Sequence, residues 1–238
     1  MTERVDSKLI KTINERRLLN LIRENGPISR NELSKKSKIS KVTVSEIINR
    51  LNEGGYILEI GKGKSTKKGG KRPTLIKLNP EVGYVIGIEI KHGRTYVALA
   101  NIESEIKAME RIGYGVGASI DEVIPSIFKT IDSILIKNNI IEEKLASIGI
   151  GLPGFIDYKQ GELIFADTLH GWANLPLASR FSQRYNVPTI LENDVNSITL
   201  GESLIGAGRG TSNLVCIWIG EGIGSGIMVD NHLVRGRS

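Results

Sequence analysis

Apolar residues recur at helical spacing in the first quarter of the chain and at strand spacing beyond it. From Leu9 to Glu24 they fall at Ile13, Leu18, Leu19, Leu21 and Ile22, and Asn25-Gly26-Pro27 then stops the pattern. Ser29, with Glu32 three residues on, predicts a capping box opening a short helix over residues 30–37, with Leu33 as its buried residue. Ser40 predicts the cap of a third helix reaching Glu53. There Val44, Ile47, Ile48 and Leu51 sit at i, i+3, i+4 and i+7, one apolar stripe. Gly54-Gly55 ends it. Two β-prone runs follow, Tyr56–Ile60 and Thr74–Leu78, separated by a glycine- and lysine-rich stretch over residues 61–73. Three helices and a hairpin in that order predict an α+β winged helix-turn-helix over residues 1–80.

From residue 81 the period changes. Tyr84–Ile90, Tyr96–Asn101 and Ser104–Ile112 are strand-like and close together, which predicts a meander. Ile120–Lys137 reads as a helix with Asp121 and Glu122 in its first turn, Leu145–Leu152 as a buried strand, Leu175–Tyr185 as a helix, Val187–Leu191 as a strand and Val195–Ile205 as a helix. The order βββαβαβα mixes a meander with crossovers. It fits the first lobe of an actin/hexokinase-like (ribonuclease H-like) α/β domain better than a doubly wound dinucleotide fold. The second domain is therefore placed at residues 81–238.

Charge sharpens this division. The 238 residues carry 32 Lys+Arg and 26 Asp+Glu. Residues 1–80 hold 19 and 8 of them, a net of +11, while residues 81–238 hold 13 and 18, a net of −5. A basic module joined to an acidic one suggests nucleic-acid binding fused to another activity, although a solvated basic face remains an open reading of charge alone. A single Cys excludes an internal disulfide framework and a Cys-rich zinc module. No apolar run approaches the roughly 18–20 residues that span a bilayer, and the N-terminus has no signal-peptide pattern, so a cytoplasmic setting is expected.

The face of helix three opposite its apolar stripe carries Val42, Ser45, Glu46 and Asn49, flanked by Lys41, Thr43 and Arg50. Small and amide side chains suit base edges, whereas a purely solvated helix more often carries Glu/Lys pairs. Lys62, Lys64, Lys67, Lys68, Lys71 and Arg72 give the hairpin tip six positive charges and no acid. Such a wing neutralises phosphates or enters a minor groove. The candidate DNA contacts are these six together with Ser40, Lys41, Val42, Thr43, Ser45, Asn49 and Arg50.

Two later loops carry candidate chemistry. Leu191–Asn196 lies at a strand end before a helix, where α/β sheets bind ligands. Asn193 and Asp194 there can hydrogen-bond vicinal hydroxyls, and a carboxylate so placed is also what a general base requires; equally, Asp194 can cap the helix. The second loop is Ile-Gly-Glu-Gly-Ile-Gly-Ser-Gly, residues 219–226. Alternate glycines at Gly220, Gly222 and Gly224 suit a phosphate loop or a ligand-free tight hairpin. Glu221 opposes an anion.

These residues together resemble the ROK family (repressors, open reading frames and sugar kinases), in particular its regulators of the xylose-repressor type. The resemblance runs through the helix-turn-helix, the wing ending Gly-Gly-Lys-Arg-Pro, Gly87–Ile90, Gly149–Asp157, Leu169–Trp172, Leu191–Asp194 and the glycine loop, over nearly the whole chain. It implies a homo-oligomeric repressor of carbohydrate-utilisation genes, with palindromic double-stranded operator DNA as partner and a sugar, xylose being one candidate, as effector. It places the sugar at Gly154, Asn193 and Asp194, Asp194 being the relic of the kinase base. No catalytic residue, cofactor or metal is expected in this chain. The kinases of the family begin their nucleotide site with Asp-x-Gly-Gly-Thr, whereas residues 89–95 read Glu-Ile-Lys-His-Gly-Arg-Thr; that change and Glu221 weaken phosphate binding, leaving an active sugar kinase as the alternative. Thr168 stands where many relatives have Asn. The family's zinc ligands belong to a segment not found in these 238 residues. The second lobe is thus expected to be incomplete, with a sheet edge and apolar surface exposed.

Overall fold

Ser29 determines where the second helix begins. Its Oγ accepts the Glu32 N–H at 3.3 Å, and its own N–H donates back to Glu32 Oε2 at 3.0 Å, a complete capping box. The computed structural model describes residues 7–63, 72–220 and 222–235, which divide into two units, Met1–Val82 and Gly83–Ser238.

In the first unit, helices α1 (Ser7–Asn25), α2 (Arg30–Ser37) and α3 (Lys41–Glu53) precede a hairpin of β2 (Ile57–Lys62) and β3 (Thr74–Leu78). A two-residue strand, β1 (Ile28–Ser29), pairs with β3 through Ile28 and Ile76 and gives the sheet order β1-β3-β2. It is too short to register in the hydrophobic pattern. The predicted stripe of α3 is buried in full: Val44, Ile47, Ile48 and Leu51 join Leu18, Ile22, Leu33, Ile57 and Ile76 in one core. Burying each such side chain contributes about 1.5–3 kcal/mol relative to exposing it. Among the described side chains of α1, only Leu18 and Ile22 are fully buried, and Ile13 is exposed. Helix α3 ends in a Schellman motif, with Tyr56 N–H on Leu51 O at 2.8 Å and Gly55 N–H on Asn52 O at 3.0 Å. Gly55 takes φ +71°, the left-handed conformation that glycine adopts without strain.

The second unit is built on a five-stranded sheet of order β11-β7-β4-β5-β6. Strands β4 (Tyr84–Lys91), β5 (Arg94–Asn101) and β6 (Ile106–Gly113) form the meander, longer at several ends than the sequence pattern predicts. Helix α4 (Ile120–Lys137) then crosses back, so that β7 (Leu145–Leu152) pairs parallel to β4, and β11 (Thr189–Asn193) pairs parallel to β7. The inward residues Ile86, Ile88, Ile90, Val97, Leu99, Ile148, Ile150 and Leu152 pack against α4 and α5 (Leu177–Tyr185). Phe128 meets Phe181 edge-on at 4.9 Å within that layer.

A small antiparallel sheet of β8 (Phe155–Asp157), β9 (Glu162–Phe165) and β10 (Ala173–Leu175) interrupts the run between β7 and α5. The sequence reading has no strand there. Helix α6 (Asp194–Leu204) lies on the other face of β7, where a Cβ on Gly151 would stand 3.0 Å from Ser197 Oγ. Beyond α6, β12 (Leu214–Ile219), β13 (Ile223–Val229) and β14 (His232–Leu233) form a last sheet. One of its faces packs on α6; the other exposes Val215, Ile217, Ile219, Ile223, Ile227 and Val229. The expected apolar surface is therefore present on this sheet. Among the described residues no helix is long and apolar enough to cross a membrane.

Candidate functional site

Helix α3 presents its outward residues as the stripe requires. Val42 is 69% exposed and Lys41 is exposed, while Ser45 is half-buried. Several candidate contacts already have partners. Ser40 Oγ caps the helix by accepting the Thr43 N–H at 3.2 Å, and the two hydroxyls lie 2.9 Å apart. Asn49 Oδ1 accepts from Arg30 Nη1 at 2.9 Å, and Arg30 Nη2 donates to Glu59 Oε1 at 3.2 Å. Arg50 pairs with Glu15 at 2.8 Å. Arg30 was not among the candidate contacts; no short-range motif links it to Asn49, which is 19 residues away. Lys62 and Arg72 flank the hairpin tip, whereas Lys64, Lys67, Lys68 and Lys71 lie outside the described residues.

In the second unit a cleft of about 720 Å³ opens beyond the carboxyl ends of β4, β7 and β11. Gly154, Asn193 and Asp194 all line it, as do Gly220, Gly222 and Gly224, so both candidate loops meet in one cavity. The capping role falls on Asn193 rather than Asp194. Asn193 Oδ1 accepts the Val195 N–H at 3.0 Å and the Asn196 N–H at 3.3 Å, while its Nδ2 donates to Gly154 O at 3.4 Å. Asp194 is the first helical residue; its Oδ1 accepts the Val195 N–H at 2.9 Å. Gly154 has a steric reason of its own, since φ is +119° and a Cβ would run into Phe165 O.

The alternate glycines divide by role. Gly224 and Gly226 let α6 lie flat on β13, for added Cβ atoms would strike Val195 and Thr199 Oγ1; Gly222 faces open space. The hairpin turn closes with Gly220 N–H on Gly222 O at 2.9 Å. The alternation thus serves packing at 224 and 226, and Glu221 lies outside the described residues.

The β4–β5 turn, His92-Gly93, brings side chains into the cleft where a glycine pair would leave room. Lys91 Nζ is 2.7 Å from Glu89 Oε1 and 4.5 Å from the centre of the Trp218 ring. His92 Nδ1 lies 2.8 Å from Thr168 O; a carbonyl only accepts, so Nδ1 carries the proton. Glu192, buried beneath the floor, accepts from Asn193 N–H at 3.1 Å, Asn196 Nδ2 at 3.0 Å and Arg235 Nε at 2.6 Å. Lys91, Tyr158, Trp218 and Arg235 are lining residues that the sequence reading does not single out as ligand contacts. Among the described residues no three His, Cys, Asp or Glu side chains come together as a metal site.

A winged helix-turn-helix followed by a sugar-kinase-like α/β lobe with a cleft at its strand ends is the class these features define. The model of the ROK family matches residues 85–238, and the chain belongs to that family; a model described as winged helix-turn-helix DNA-binding matches residues 11–57. The chain is 35% identical to the xylose repressor of Caldicellulosiruptor bescii, across 96% of this chain and 56% of that protein. It resembles the crystal structure of a ROK family transcriptional regulator, described as a homolog of Escherichia coli Mlc, with TM-score 0.74 and 25% identity over 96% of this chain and 57% of that one. A ROK family glucokinase from Streptomyces griseus, in complex with glucose and AMPPNP, aligns with TM-score 0.58 and 28% identity over 65% of this chain and 47% of that one. The chain spans a little over half the length of the curated relatives it matches.

Proposed function

We propose that the chain is the operator-binding and sugar-binding part of a transcriptional repressor of carbohydrate-utilisation genes that acts in the cytoplasm. The observation that carries this reading is the joining, in one chain, of an outward polar helix on a basic hairpin unit to a cleft floored by Asn193 and Asp194. The relative named as a xylose repressor matches across both parts. A dimer sets two recognition helices in successive major grooves, about 34 Å apart, on a palindromic site. Sugar held at Gly154, Asn193 and Asp194 favours one arrangement of the dimer, so effector and operator change each other's affinity by the same factor. Xylose is the first effector to test, on the strength of that relative's name.

The kinase alternative draws on the glucokinase likeness and on Asp194. Against it stand Lys91 and His92, whose side chains line the cleft at the turn after β4. Sugar-dependent ATP consumption that Asp194→Asn abolishes would reverse the preference.

Fluorescence anisotropy tests the reading on DNA upstream of the chain's own gene and on a scrambled duplex, with and without xylose, glucose and N-acetylglucosamine. Preferential binding that one sugar alters supports it. Asn49→Ala should relax sequence preference, and wing Lys→Ala changes should weaken all DNA binding and flatten its salt dependence. Equal binding to both duplexes, unmoved by any sugar, overturns it.

A further inference from the structure

Glu192 is only 8% exposed, and a carboxylate so buried must be paired with a cation and hydrogen-bonded. Arg235 supplies the cation through Nε, at 2.6 Å. It follows β14 in the chain, whereas Glu192 belongs to β11, so this ion pair ties the last sheet to the floor of the cleft. The Arg235 guanidinium also lies over the Tyr158 ring, 4.8 Å from its centre. An Nε bond on one side and an aromatic face beneath hold the guanidinium plane in place. Among the described residues, its two terminal amino groups have no hydrogen-bond partner, and Arg235 lines the cleft beside Asn193.

We propose that Arg235 is a ligand-binding residue of this cleft, holding two neighbouring hydroxyls of a neutral sugar. The proposal deepens the sugar-binding reading above and rests on it. A guanidinium presents parallel N–H groups in a fixed fork, which matches two oxygens on adjacent atoms. Glu192 already balances its charge and Asp194 adds a carboxylate to the same floor, so the pair calls for a diol and not for an anion. Arg235 is thereby both the partner that steadies Glu192, next to Asn193, and a direct contact.

Titration calorimetry on the 238-residue chain and on Arg235→Lys separates these roles, with xylose, glucose, N-acetylglucosamine and glucose 6-phosphate as ligands. Lysine keeps a cation for Glu192 but offers no fork. Arg235→Lys should weaken binding of the preferred sugar roughly ten- to a hundredfold. At least one single-deoxy analogue of that sugar should lose less affinity relative to the parent sugar in Arg235→Lys than in wild type, because the missing hydroxyl is one of the two that Arg235 holds. If Arg235→Lys fails to fold, Arg235→Gln/Glu192→Gln, which leaves no buried charge, takes its place. Undiminished binding by the variant, or every deoxy analogue losing as much in the variant as in wild type, would leave Arg235 a support for Glu192 only and overturn the proposal. Arg235-dependent preference for glucose 6-phosphate over glucose overturns the neutral diol. A wild-type chain that binds none of these ligands overturns the sugar reading itself, and that outcome is distinct from wild-type binding which the variant retains.

Discussion

The two units display their candidate contacts in opposite ways. In residues 1–82 they stand outward from one helix and the edges of one hairpin, on a segment with a large excess of positive charge. In residues 83–238 they converge on a cleft from the β4–β5 turn, the β7–β8 segment, the start of α6, the β12–β13 hairpin and the residues after β14. Lys91 and Arg235 are each paired there with a carboxylate. An outward surface with excess cations suits a polyanion approached from outside, while a concave site in which Lys91 and Arg235 each face a carboxylate suits a small uncharged ligand. Under the function proposed above, the contrast matches each unit to a different kind of ligand, and it follows from how each unit uses charge.

The largest test of that separation lies in the cores, which share no residue. Phe181→Ala should cost about 3–5 kcal/mol in the second unit alone. Denaturant melts should show its transition shifted and that of the winged-helix unit unchanged; a common shift would mean that the two units fold as one. Gly226→Ala should cost about 1–3 kcal/mol, because the new methyl meets Thr199 Oγ1 on α6. Gly222→Ala, facing open space, should leave the melting temperature nearly unchanged; equal losses from both would mean that the alternation has a purpose other than helix packing.

Ser29→Ala should remove about 0.5–2 kcal/mol from the first unit. Hydrogen bonds from Ser29, side chain first and then backbone, hold the Glu32 carboxyl below its ordinary range. A lowered folded value means that this stabilisation is present above the unfolded value and is lost as the pH falls through the folded one. Urea melts on acidification should therefore show wild type losing more stability than Ser29→Ala; parallel loss would dissociate the cap from the titration. The smallest effect is expected at Thr189, whose Oγ1 is buried without a hydrogen-bond partner among the described residues. Thr189→Val should be neutral or stabilising by less than about 1 kcal/mol in a thermal melt.

Local chemistry explains what could be read without coordinates. The capping box at Ser29 and Glu32, the buried stripe of α3 and the α4 boundaries each depend on residues within about two helical turns of one another. Strands β8–β10 escaped because they are three or four residues long and lie among turns. The cap before α6 could be assigned to Asp194 or to its neighbour, since Asn and Asp compete for that position; φ and ψ at Asn193 decide it.

By itself the sequence determined two units of opposite charge, the helix order, the meander and crossover, and a family resemblance that the comparisons uphold. Tertiary structure alone brought Arg30 to Asn49, Lys91 to Trp218 and Arg235 to Glu192 across 19, 127 and 43 residues. It also distinguished glycines needed for helix packing from those open to the cleft. Periodicity and caps depend on interactions between near neighbours, which a linear pattern records. An ion pair across a cleft depends on strand order and on the path of the chain between its partners, and no local spacing encodes either.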